Sequence, residues 1–384
     1  MDLFRSIACT LVLSSSLALA QTAVSAAPAP APYDAWTFAV SGDSRNCGDM
    51  VMPAIATAVK AEGDAFYWHL GDLRKTSAPD EDWLFEQRNA SAVAPTRQQY
   101  LNDEWNDFTE HQIKPFAGVP FMLGIGNHEV VPPKTEEDYL AQFEKQLDIP
   151  LIRAQRLKDD PTDLFVHTWY HVIVRGVDFI TMDNAVNSNF GAQQISWFDR
   201  VLARDEADAS VKTIVVGMHE ALPWSTSADH SMCQSDDGIA DGDKVYHRLM
   251  GAHDKGKNIY ILASHSHYYM ANVFNTPHWN DPKNGVVLPG WIVGTAGAER
   301  YPLPAGTAEA PEARQHVYGY LRGTVLENGV IVFEFVQFSE DDLQKSRPAD
   351  FTEEQVLWCY VKNPGTLREP PDRSCEDTAA AGKK

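Results

Sequence analysis

The stretch Pro120-Phe121-Met122-Leu123-Gly124-Ile125-Gly126-Asn127-His128-Glu129 is a short apolar run that breaks off into three polar residues. It reads as a buried strand delivering a loop. Four other apolar runs end in the same way. Trp36–Val40 leads into Ser41-Gly42-Asp43, and Ala65–Leu70 into Gly71-Asp72. Thr213–Gly217 leads to His219, and Ile259–Ala263 ends in Ser264-His265-Ser266-His267. Taken singly, Asp43, Asp72 and Asn127 are ordinary cap or turn residues, and His219 an ordinary hydrogen-bonded histidine. Five strand ends that each carry such a residue are a different observation, because ligands collect beyond the carboxyl ends of strands in open α/β sheets. Asp, Asn and His together offer the N and O donors that suit zinc, manganese or iron, with no thiolate among them. In a strand-like conformation His265 and His267 would point the same way and could serve adjacent metals.

The runs between these ends set the architecture. Met52–Ala61, Glu136–Leu147, Gln194–Asp205 and Lys244–His253 carry helical periodicity, and the polar stretch 76–116 reads as a helical insertion. Trp169–Val174 and Val177–Met182 form a hairpin about Arg175-Gly176. Tyr320–Leu326 and Val330–Phe338 are strands divided at Glu327-Asn328-Gly329, and Trp291–Gly294 is a further strand. Strands alternating with helices imply parallel crossovers, and the later hairpins imply mixed pairing. The expected fold is α/β, a four-layer α-β-β-α sandwich of two mixed sheets over residues 35–345, with 346–384 as a C-terminal extension.

Gly71-Asp72, Gly126-Asn127-His128-Glu129, the lone His219 and Ser264-His265-Ser266-His267 resemble, in order, the signature blocks of the calcineurin-like metallophosphoesterases, with Ser264 in place of a glycine. Gln194–Phe198 is similar to a helix of that family's phosphatase branch, and the resemblance spans about residues 36–340. It implies the family's fold and a centre of two metal ions (Mn, Zn or Fe). Asp72 would bridge them; Asn127, His219 and His265 would complete one, while Asp43 and His267 would bind the other. A bridging hydroxide would attack phosphorus in line, with His128 assisting the leaving oxygen and Glu129 orienting His128. The implied substrate is a phosphorylated small molecule, foremost a phosphomonoester; a phosphodiesterase, a nucleotidase or a catalytically degenerate metal-binding protein are the alternatives.

One block departs from the family pattern. A D-x-H motif is replaced by Asp43-Ser44-Arg45, and arginine stays protonated and cannot ligate a metal. The tyrosine that purple acid phosphatases place three residues after the bridging aspartate is here Lys75. The first metal is therefore one ligand short, a gap that the Asn46 carbonyl or water could fill. Arg45, and to a lesser degree Arg74, could instead face a phosphoryl oxygen as bidentate donors.

A formal net charge of -21 argues against a nucleic-acid or anionic-membrane surface as the general partner. It leaves a phosphorylated substrate open, since bound cations reverse the local field. Arg5, the apolar run Ile7–Leu19 and Ala18-Leu19-Ala20 read as a signal peptide over residues 1–20, followed by an Ala/Pro-rich linker at 21–34. The protein is then expected to be secreted or periplasmic, with no membrane span in the mature chain. Loss of Cys9 leaves Cys47, Cys233, Cys359 and Cys375, an even number that favours disulfides. Three pairings are open. Cys359 and Cys375 are close enough in sequence to staple the C-terminal segment, which would leave Cys47 with Cys233.

Overall fold

A computed structural model describes residues 35–227, 230–363 and Cys375. The signal peptide and linker expected at 1–34, and most of the C-terminal tail, lie outside the described residues. Among the described residues twelve strands are formed: β1 (Trp36–Ser41), β2 (Tyr67–His69), β3 (Phe121–Leu123), β4 (Tyr170–Val174), β5 (Val177–Thr181), β6 (Thr213–Gly217), β7 (Asn258–Ala263), β8 (Tyr269–Ala271), β9 (Gly290–Val293), β10 (Ala313–Arg314), β11 (Gly319–Val325) and β12 (Ile331–Gln337). They make two mixed sheets, ordered β12-β11-β1-β2-β3 and β10-β8-β9-β7-β6-β5-β4. Strands β1, β2 and β3 run parallel in the first, and β5, β6, β7 and β9 in the second.

Side-chain alternation along these strands builds the layers. Trp36, Phe38 and Val40 face the other sheet, where the Phe38 and Phe179 rings meet edge-on at 4.9 Å. Ser41 and Tyr67 point outward and share a 2.6 Å hydrogen bond beneath the helix Gly48–Glu62. In the second sheet Val215 and Leu262 join the core between the sheets. Their neighbours Ile214, Val216 and Ile261 pack instead with Phe198, Leu202 and Leu249 of the helices Gly191–Ala207 and Asp236–Asp254. Each fully buried side chain of this kind contributes about 1.5–3 kcal/mol. The order helix, sheet, sheet, helix follows, as the alternation of runs implied. No helix among the described residues is long and apolar enough to cross a membrane.

Residues 76–116 hold the helices Glu81–Ala90 and Arg97–Phe108 and two short turns. The helix Pro150–Asp159 was not anticipated; four of its ten residues are charged, and its start is marked only by proline at the first turn.

The cysteine pairing expected from sequence proximity is corrected. Cys47 bonds Cys359, and Cys233 bonds Cys375, with Cα atoms 5.9 and 4.7 Å apart. The reason lies in the helix Glu353–Lys362. It buries Val356 and Cys359, and Cys359 meets Cys47 at the start of helix Gly48–Glu62.

Candidate metal centre

The parallel strands of both sheets deliver their carboxyl ends to one place. Asp43, Asp72 and His265 leave those strands with φ of 60°, 60° and 64°, left-handed backbone that side-chain-bearing residues rarely adopt. The loops hold one another in that state. Asp43 N donates to Gly71 O at 2.9 Å, Ser44 N to Asp72 O at 3.0 Å, and His265 N to the Asp43 carboxylate at 2.7 Å. Gly71 and Gly126 face each other so closely that a Cβ on either would overlap the other loop's backbone. Here the glycines of the two motifs are required by close approach.

Glu129 fastens the same contact. Its carboxylate accepts from Gly126 N at 2.8 Å and from Asp72 N and Leu73 N at 2.9 Å each. It therefore clamps the Asp72 loop to the Asn127 loop and does not orient His128, as the sequence reading had it. Burial and the neighbouring Asp72 charge push this carboxyl up to about 8, against the pull of the backbone donors.

Around His219 Nε2 three further donor atoms converge. Asp72 Oδ1 lies 3.2 Å away, Asn127 Oδ1 3.1 Å and His265 Nδ1 2.9 Å. His219 Nδ1 faces the Leu70 carbonyl at 3.0 Å, which can only accept, so the neutral ring turns its Nε2 lone pair inward. Ser264, standing where the motif has glycine, also bonds Leu70 O at 2.9 Å and so props this histidine. Four donors at such spacing match the shell of one small cation, whose ligands at about 2.0–2.2 Å sit roughly 3.3 Å from each other. The Asp43 carboxylate is close by: one atom each of Asp43, Asp72, His219 and His265 lie within 4.8 Å of one another. Asp43 Oδ1 and Asp72 Oδ2 are buried without a hydrogen-bond partner, as atoms reserved for a cation would be. Burial works to raise the Asp72 carboxyl, but His219, His128 and Arg45 outweigh it and hold it well below the usual range.

Arg45 sits beside these atoms, 6% exposed. Its Nη1 lies 2.6 Å from His128 Nε2, its Nη2 2.9 Å from His267 Nε2, and its Nε 3.8 Å from Asp72 Oδ2. A guanidinium only donates, so both imidazoles accept at Nε2. Both Nδ1 atoms face backbone carbonyls, His128 on Lys75 O and His267 on Glu299 O, each at 2.6 Å. Burial, then the Arg45 charge, lower the His128 pKa to about 4, with Asp72 opposing.

The structure thus brings Asp43, Arg45, Asp72, Asn127, His128, His219, His265 and His267 together. Three further expectations change. His265 and His267 do not extend a strand: β7 stops at Ala263, and a turn aims His265 Nδ1 at His219 and His267 Nε2 at Asp43, 3.2 Å away. The Asn46 carbonyl accepts from Glu81 N at 3.1 Å and is not aimed at the centre. Arg74 is wholly buried, bonding Asp49 at 2.6 Å, Asp82 at 3.0 Å and Asp107, and so knits the insertion to the first helix. Sequence reasoning also missed residues after β9. Glu299 pairs with Lys75 at 2.6 Å, and the Tyr301 ring stacks on His267 at 4.1 Å. Only the end of the Trp291–Gly294 run pointed there.

No family model matches the sequence, and no curated protein matches it either. Solved structures do. The purple acid phosphatase PPD1 of yellow lupin (Lupinus luteus) superposes with a TM-score of 0.52 at 17% identity, covering 88% of this chain and 58% of that one. The fold is the calcineurin-like metallophosphoesterase fold. This chain spans less than two thirds of the lupin protein's length. GAP50, described as the anchor in the inner membrane complex of Plasmodium, matches at 0.46 and 14% identity over 89% of this chain and 99% of its own. A dimetal phosphatase from Danio rerio matches at 0.44 and 10% over 78% and 98%.

Proposed function

We propose that this chain is a metal-dependent phosphoester hydrolase whose preferred substrates are phosphomonoesters. The observation that carries the reading is the convergence of Asp72 Oδ1, Asn127 Oδ1 and His265 Nδ1 on His219 Nε2. A divalent or trivalent cation bound by these residues supplies Lewis acidity and a nucleophile at neutral pH. Asp72 stays ionised, and the Leu70 carbonyl keeps the His219 lone pair on the site.

Arg45 presents its remaining N–H groups to a phosphoryl oxygen, where the charge of the transition state collects. His128 holds that guanidinium by accepting at Nε2, so its part in this arrangement is to position Arg45. A terminal phosphoryl group carries more negative charge than a diester, so a fixed guanidinium favours the monoester. Export from the cytoplasm fits the two disulfides. The test compares kcat/KM on p-nitrophenyl phosphate and on its bis ester, with manganese, zinc or iron supplied. A higher value on the monoester is expected; preference for the bis ester makes the chain a phosphodiesterase, and inactivity on both makes it a metal-binding protein of this fold.

A further inference from the structure

We propose that the centre takes one metal ion and that the Arg45 guanidinium stands where the second cation of a binuclear centre would be. The inference rests on the metal-dependent reading above and concerns only how many ions the residues can hold. Once Asp72 Oδ1, Asn127, His219 and His265 are assigned to one ion, three donor atoms remain for another: Asp43 Oδ1, Asp72 Oδ2 and His267 Nε2. Arg45 holds one of the three by a hydrogen bond and sets its charge near the other two, which are carboxylate oxygens without a hydrogen-bond partner. His267 Nε2 accepts from Arg45 Nη2 at 2.9 Å, Asp72 Oδ2 lies 3.8 Å from Arg45 Nε, and Asp43 Oδ1 lies 3.2 Å from that same His267 nitrogen.

The histidine tautomers make the substitution specific. His267 Nδ1 is bound to the Glu299 carbonyl, so Nε2 holds the only lone pair on that ring, and Arg45 consumes it. His128 is locked the same way through the Lys75 carbonyl and braces the other terminal nitrogen of the guanidinium. A permanent cation here takes the one imidazole donor a second ion would need and sets its own positive charge against that ion. Lys75 and Glu299 complete the set as a neutral pair at its edge, 2.6 Å apart. The arrangement keeps two positive centres side by side, one exchangeable and one built into the chain. Removal of metal therefore leaves the guanidinium's single positive charge in place.

Metal counting on the full-length mature protein tests this. The protein is stripped with chelator, reloaded with excess Mn2+, desalted and assayed for manganese by mass spectrometry, and its Mn2+ electron paramagnetic resonance spectrum is recorded. One equivalent per chain with an uncoupled six-line spectrum is expected. Arg45→His, which restores an imidazole at the departing position, is expected to take up two equivalents and give an exchange-coupled signal. Two equivalents in the wild-type chain overturn the inference and leave the phosphoester hydrolase reading standing. No uptake of manganese, nor of zinc or iron supplied in its place, overturns both. A folded Arg45→His variant that still holds one equivalent removes Arg45 as the cause, and if that variant fails to fold the wild-type count decides alone.

Discussion

Replacing Glu129 with alanine removes one acceptor group from three backbone donors at once. Gly126 N, Asp72 N and Leu73 N all end on its carboxylate, which is fully buried. A buried N–H left unpaired costs about 1–3 kcal/mol. Water entering the emptied space recovers part of that, so the low end applies to each donor and the sum is about 3 kcal/mol. Glu129→Gln separates the terms. Its carbonyl oxygen can keep the two donors that share Oε2, while its NH2 meets the Leu73 N–H donor to donor, a loss of about 1–3 kcal/mol. Urea unfolding in excess chelator reads both, because free metal would add its own stabilisation. The expected order of stability is wild type, then Gln, then Ala. If Ala lies within about 1 kcal/mol of wild type, the clamp is not what holds the two loops, because three unpaired donors cannot be that cheap.

Other outcomes follow from sites away from the metal. His171 lies between Asp178, 2.7 Å from Nδ1, and Asp159 at Nε2, with Arg204 on Asp159 and Asp205 beside Asp178. Burial opposes, but the two carboxylates raise His171 from 6.5 to about 10. A raised folded-state value means stabilisation that is complete below about pH 6.5 and lost as pH climbs towards 10, so the margin of wild type over His171→Gln in thermal melts narrows across that window. A margin that widens instead would mean the imidazole is buried uncharged. Arg74→Leu leaves Asp49, Asp82 and Asp107 facing one another without their cation, and a loss of about 3–5 kcal/mol in urea unfolding is expected. Opening Cys47–Cys359 by Cys359→Ser releases ends 312 residues apart, with about 3–5 kcal/mol lost and no further response of the variant to reductant at that bond. An unchanged unfolding midpoint would show the bond to be dispensable.

What could be read from the chain alone was whatever is written in one short segment. Apolar runs such as Trp36–Val40 and Ile259–Ala263 gave both the strands and the direction in which Asp43 and His265 would leave them. The features that escaped are those set by chain packing. Cys375 is near Cys359 in sequence, but the helix Glu353–Lys362 buries Cys359 against Cys47. The Glu129 contact to Asp72 spans 57 residues and has no spacing rule, so a motif alone suggested His128 as its partner. Arg45 was marked by its departure from the motif, but its hold on His267 crosses from one sheet to the other and is visible only when both loops are placed.

The central claim is that a metal ion held by Asp72, Asn127, His219 and His265 is what makes this chain hydrolyse phosphoesters. Hydrolysis of p-nitrophenyl phosphate, followed before chelation, after it and on return of manganese, zinc or iron, tests that directly. We expect activity to vanish with the metal and to return with at least one of the three ions. Hydrolysis that persists unchanged after the metal is shown to be gone would contradict it.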